Sequence, residues 1–344
     1  MKHFFGSLII AVVAAMVFSA IGYAWIKYDL EKVSDDVASL QNSVQELQDS
    51  QRIKPPTNQA TNDNGIRVSQ TPTGANDVKE HDVYVTRSDD PTSFPDSTEL
   101  VFDMGSVPEA VLRSNGEIWM YFPSFKNFSG PGDEKIMAAK STDDGVTWEE
   151  IGLITIKNAI EGVTAVDPSL VELDDGRLRM YFFGSTVQPG KDPAQTEGDH
   201  NIYSAVSEDG LSFTMEEGVR YSQEKITDPD VVYHPDFGTW LMYVSEGPMT
   251  HIITSNDGLE WFDTEFDWTG GGVPGAYVDV DGQVHLYGCG QGGITTETSV
   301  DGIIFEGTPE TALSTTDSAI ICDPSPVLLD DGSVLMVYKK APAK

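Results

Sequence analysis

The apolar residues of this chain keep three different rhythms in succession. Residues 4–26 form an unbroken run of 23 uncharged, mostly apolar positions, long enough to cross a bilayer as a helix. Lys2 and His3 stand before it, a bias that puts the N-terminus inside and the remainder outside the cell membrane. The run exceeds a signal-peptide core, and Phe18 occupies a place where a cleavage site needs a small residue. A retained signal anchor over residues 1–27 is therefore expected. The second rhythm places Leu30, Val33, Val37, Leu40, Val44 and Leu47 in alternating steps of three and four, the seam of a coiled coil. It predicts a stalk over residues 28–52, either self-associating into a homo-oligomer or standing alone as a polar helix. Pro55-Pro56 ends it, and residues 53–80, rich in Asn, Thr, Gln and Gly, read as a flexible linker.

The third rhythm is a repeat. Five times an apolar strand, a Gly turn and an aromatic second strand follow one another, with aligned prolines at 108, 168, 229, 274 and 324. The second strands carry Tyr121, Tyr181, Tyr243, Tyr287 and Tyr338 at matching places. Proline spacings of 60, 61, 45 and 50 residues suit four-stranded blades with variable loops. Four repeats continue into a second hairpin: Ser141 to Trp148, Ser207 to Phe213, Ser255 to Trp261 and Ser299 to Phe305, each with Asp and Gly in the turn. The fifth stops after its second strand, and its missing half is found at residues 83–94, with Pro91 where Gly stands elsewhere. The pattern predicts an all-β fold over residues 81–344, a five-bladed β-propeller closed by its own N-terminal strand.

Charge narrows the partners. Against 21 Lys plus Arg stand 55 Asp plus Glu, a formal charge of −34, which repels nucleic acid and anionic lipid headgroups. The six histidines show no paired metal-ligand spacing, and neither a Ser-His-Asp signature nor a phosphate loop occurs. Of the two cysteines, Cys322 begins the fifth inner strand and Cys289 ends the second strand of the preceding blade. Both ends fall at one mouth of the ring, so a disulfide and a pair of buried thiols are the two readings.

Candidate chemistry gathers where inner strands begin. The positions before the aligned prolines are Val107, Asp167, Asp228, Val273 and Asp323, and those after them are Glu109, Ser169, Asp230, Gly275 and Ser325. Crowded carboxylates raise one another's pKa, so one stays an acid while another acts as a base, the requirement of glycoside hydrolysis. The same funnel suits a divalent cation such as calcium. Asp before Pro is also an ordinary turn-forming choice. An open pocket ringed by these groups points to catalysis; side chains tied into backbone bonds point to structure or binding.

The blade motif Asp167-Pro168-Ser169-Leu170, with Asp174-Asp175-Gly176 and Met180-Tyr181-Phe182 after it, resembles that of glycoside hydrolase family 43 and its five-bladed relatives. The resemblance implies a base, an orienting Asp and an acid from successive early blades. Asp167 matches the orienting Asp. Glu246, in Ser245-Glu246-Gly247-Pro248, resembles the surroundings of the acid, although it follows a second strand instead of preceding a first. Where the family has Asp-Pro in its first blade this chain has Val107-Pro108-Glu109, so Glu109 substitutes as base or the role is lost. The implied allocation is Glu109 as base, Asp167 as orienting carboxylate and Asp228 as acid, with Glu246 as substitute acid. Asp230, Asp323 and Trp268 are the expected carbohydrate-binding residues. The Ser-Asp-Gly hairpins resemble the Asp-box of sialidases, but the domain has only five arginines and no Arg-Ile-Pro motif, against sialidase activity. The competing expectation is a non-catalytic propeller binding carbohydrate or protein, with the aromatic loops at residues 122–128 and 268–272 as contact surfaces.

Overall fold

The computed structural model describes residues 78–342 apart from 98, 131–132, 187–198, 291 and 315–318. The expected anchor, the stalk and most of the linker lie outside the described residues. Among the described residues, no helix is long and apolar enough to cross a membrane.

Five sheets, antiparallel but for one strand of the second, make the fold. Their inner strands, Glu109–Leu112, Val163–Glu172, Thr227–His234, Gly272–Val278 and Ile320–Leu328, pack on one another in that order, and the last returns to the first. The closing blade is composite. Behind Ile320–Leu328 and Val334–Ala341 come the N-terminal strands Asp82–Ser88 and Leu100–Phe102, with Tyr84 opposite Tyr338 in the ladder. Pairing first to last in this way leaves no open seam in the ring. The second blade departs from four strands. Its third strand, Asp199–Ser207, pairs with both Ser212–Met215 and Tyr221–Glu224, and Thr155–Lys157 joins in parallel.

Alternation along the strands builds the core. Successive side chains point to opposite sheet faces, so Met120 faces the fifth blade while Tyr121 faces the second. The same split repeats at every blade, giving five apolar clusters, one at each interface between neighbours. Each aligned tyrosine is fully buried, and such a hydroxyl needs a partner. Tyr121 donates to Gly210 O (3.0 Å), Tyr181 to Gly258 O (2.8 Å) and Tyr243 to Gly302 O (2.8 Å), each in a turn of the next blade. Tyr287 donates to Pro91 O at 2.8 Å, so the residue that replaces Gly in the degenerate turn still presents its carbonyl. The turns themselves are closed by their own side chains. Ser207 Oγ accepts the Gly210 N–H at 2.9 Å, and Asp209 accepts the amides of Leu211 and Ser212.

The aromatic loops are not contact surfaces. Phe122, Phe125 and Phe128 are buried, the last two edge to face with centroids 5.0 Å apart. Trp268 closes the strand Trp261–Trp268, is 2% exposed and gives its indole N–H to Glu297 at 2.8 Å. Expected to stack on a sugar, it is instead a core residue, because its ring packs over Gly270 and Gly288, which carry no side chain to compete for the space.

Candidate functional site

One backbone irregularity, repeated five times, builds the site. The residues before the aligned prolines all adopt left-handed backbone: Val107 (φ 44°), Asp167 (51°), Asp228 (48°), Val273 (50°) and Asp323 (54°). In four blades the ladder slips at this dipeptide, the signature of a bulge. Asp tolerates this conformation better than most residues, whereas a β-branched residue is strained there, by roughly 1–2 kcal/mol at each valine. The bulges bring all five dipeptides, with Glu109 and Asp230, around one pocket of about 20 Å³. That volume holds a water molecule but no sugar ring.

The carboxylates fall into two tiers. In the lower tier, the residue after each proline reaches the next blade. Glu109 Oε1 accepts the Leu170 N–H at 3.1 Å, Ser169 Oγ accepts that of Val231 at 3.0 Å, and Ser325 Oγ accepts that of Ala110 at 2.8 Å. Asp230 bonds the Ala276 amide in the same sense. The fourth position breaks the rule on both sides. Gly275 has no side chain to offer, and its partner is Pro326, which has no N–H to give. A Cβ at Gly275 would overlap the Pro324 carbonyl oxygen.

Glu109 does more, since Ser325 Oγ donates to its Oε2 at 2.9 Å and Ser169 Oγ lies 3.4 Å from its Oε1. It thus latches three blades together, and its expected role as a free base is at odds with these bonds. Burial pushes its pKa up to about 7, against the lowering effect of the Leu170 amide and both serines. Asp230 is 5% exposed, and burial, followed by the nearby Glu109 charge, holds its carboxyl well above the usual range.

In the upper tier stand Asp167, Asp228 and Asp323. Asp167 accepts the Asp228 amide, while burial, then the charges of Asp228 and Asp323, hold its pKa well above 3.8. Burial and Asp323 raise Asp228 to about 6, opposed by the Thr227 hydroxyl and Lys339. Asp323 is 4% exposed and lies 2.5 Å from the Lys339 ammonium, itself 8% exposed. The structure therefore brings together Glu109, Asp167, Asp228, Asp230 and Asp323. Glu246 is not in the pocket wall; it accepts the Gln223 side-chain amide at 3.2 Å.

Lys339 was not singled out from the sequence, although a signal was present. The residue after the aligned tyrosine is Phe122, Phe182, Val244 or Gly288 in the other blades. Only the fifth blade sets a charge at this buried, otherwise uncharged position.

Cys289 and Cys322 form a disulfide, with Cα atoms 5.1 Å apart, tying the fourth blade to the fifth beside Asp323, whose N–H points at Cys289 Sγ (3.2 Å). Among the described residues, the three ligand atoms grouped closely enough for a metal belong to Cys289, Cys322 and Asp323. The disulfide uses both sulfurs of that group. The domain's five arginines are engaged away from the pocket. Arg87 pairs with Asp331, Arg113 with Glu172, Arg177 with Asp175 and Arg179 with Glu216, and Arg220 bonds the carbonyls of Glu217 and Leu259. Among the described residues, no arginine lines the pocket.

A search of protein-family models finds no match, and a search of curated proteins finds none either. Solved structures do match. A GH43_1 enzyme from Xanthomonas citri, in complex with xylotriose, superposes with a TM-score of 0.53 at 13% identity, covering 69% of this chain and 87% of that one. A GH32 beta-fructofuranosidase of Bombyx mori, as a mutant in complex with sucrose, gives 0.50 at 15% identity, over 67% of this chain and 54% of its own. This chain thus spans about half the length of the silkworm enzyme. At such identities the likeness is one of fold: the chain shares the five-bladed propeller architecture of these glycoside hydrolases.

Proposed function

We propose that this protein is a membrane-anchored, extracytoplasmic glycoside hydrolase acting on an oligosaccharide or polysaccharide through the upper-tier carboxylates. The observation that carries the reading is the adjacency of Asp167 and Asp228. They stand at the bulges of consecutive inner strands, Asp167 accepts the Asp228 amide, and burial raises both carboxyls, that of Asp228 to about 6. Such a pair releases its protons in two steps that belong to the pair. One member holds a proton for the leaving oxygen while the other, ionised, takes one from water. The pocket accommodates that water, and the sugar lies across the mouth. Glu109 serves the fold as a latch, and Glu246 lies outside the wall, bonded to the Gln223 side chain. The apolar run at residues 4–26 supports an anchor, and the heptad seam behind it supports a self-associating stalk.

The test is a screen of aryl-glycosides and plant and microbial glycans with wild type and Asp167→Asn. Cleavage of a glycan by wild type, lost in the variant, supports the assignment. Cleavage that survives the substitution unchanged would remove Asp167 from the chemistry, and retention of glycans without cleavage would make this a binding propeller.

A further inference from the structure

Three carboxyl groups crowd the upper tier, and one of them, Asp323, is ion-paired with a cation. Lys339 sits on Val334–Ala341, opposite Cys322 in the ladder with the inner strand and opposite Val83 in the ladder with the closing N-terminal strand. It is therefore held between the disulfide-bonded strand and the strand that shuts the ring. Its ammonium is buried and meets Asp323 at 2.5 Å. The charged groups facing this space from the inner strands are Asp167, Asp228 and Asp323 above and Glu109 and Asp230 below. The arginines are committed elsewhere.

We propose that Lys339 is a positioning residue of the pocket: it commits Asp323 to an ion pair and thereby leaves Asp167 and Asp228 as the two carboxyls that exchange a proton. The pairing removes one competitor from a three-carboxyl cluster. Without it, a proton taken up by the cluster would spread over three sites, and no single pair would be poised. The Lys339 charge also acts on both remaining carboxyls, opposing the rise that burial imposes on each. Breaking a buried pair by removing one partner strands the other, whereas neutralising both together is far milder. The role in catalysis rests on the hydrolytic reading of the pocket, but the titration it predicts requires no sugar to be cleaved.

The experiment is a carbon-13 NMR titration of aspartate carboxyls in the full chain, with the resonances of residues 167 and 228 assigned by Asp167→Asn and Asp228→Asn. In Asp323→Asn the unpaired ammonium should draw both carboxyls down, by roughly one pH unit. In Lys339→Met the two should move up by a similar amount. Lys339→Arg, and the double variant Asp323→Asn with Lys339→Met, should return them near wild type. If Lys339→Met does not fold, the Asp323→Asn arm and the double variant still decide the matter. Titrations of Asp323→Asn within a few tenths of a unit of wild type, or shifts of the same sign in both single variants, would overturn the proposal. A purely structural ion pair would lower the melting temperature in both variants and leave the two carboxyls where they were. Should a substrate be found, the acidic limb of the rate profile must move with the carboxyls; a limb that stays fixed while they shift would overturn the hydrolytic assignment and leave the titration result standing.

Discussion

Replacing Glu109 by Gln should make the protein more stable at pH 8 while changing little at pH 4.5. The carboxyl is held among donors from three blades, and burial raises its pKa from an ordinary 4.5 to about 7. A raised acid binds its proton more tightly in the folded state. Its contribution is then fully present below pH 4.5, declines as pH rises, and is fully lost above about 7. A difference of about 2.5 units corresponds to about 3 kcal/mol of stability lost across that window, at about 1.4 kcal/mol per unit. The amide of Gln keeps an oxygen for the Leu170 N–H and does not titrate, so the variant should lose this part of the slope. The turn aspartates, such as Asp143, Asp209 and Asp257, have pKa values lowered by backbone N–H bonds; they ionise below the window and stay silent within it. Urea unfolding of both proteins from pH 4.5 to 9 measures the difference directly. If wild type and variant lose stability in parallel over this range, Glu109 is not a buried, proton-holding latch.

Three further variants probe the ring. Gly275→Ala should destabilise the domain by about 3 kcal/mol or more, since the new methyl meets the Pro324 carbonyl with no flexible neighbour to yield; a melting temperature like that of wild type would refute the close approach. Tyr243→Phe removes a buried hydroxyl from Gly302 O and should cost about 1–2 kcal/mol in chemical unfolding. Opening the Cys289–Cys322 bridge with Cys→Ser at both positions should cost about 3–4 kcal/mol for a loop of this length, with an unchanged unfolding midpoint as the contrary result.

The ring was readable from one chain because a propeller states its rule five times. Aligned prolines, Gly turns and tyrosines mark the inner and second strands. The orphan strand at residues 83–88 fills the one blade that lacks an outer half. Trp268 and the phenylalanines of residues 122–128 misled because composition does not tell an exposed aromatic loop from a plug between blades; only packing against glycines and neighbouring rings does. The extra pairings of the second blade arise in loops where the repeat carries no signal.

The site was legible in outline and misjudged in its parts. The dipeptide positions 107–109, 167–169, 228–230, 273–275 and 323–325 locate the pocket, but the sequence does not say which carboxylates are tied down. The bulge explains it afterwards: the residue before each proline stands on left-handed backbone at the pocket, and past the slip in register the residue after it reaches the next blade in every blade but the fourth. Glu109 and Ser169 are thus chemically unlike but structurally equivalent. Lys339 was obscured by its neighbour Lys340 in what looks like a solvated chain end.

A single rate decides whether the pocket is catalytic. With the best glycan from a screen, release of reducing ends by wild type and by Asp228→Asn should differ by about 10²–10⁴-fold, with the variant's melting temperature at pH 7 maintained or raised, because a carboxyl held near 6 by burial no longer has to ionise. A variant that is folded and still cleaves within a few-fold of wild type would contradict it.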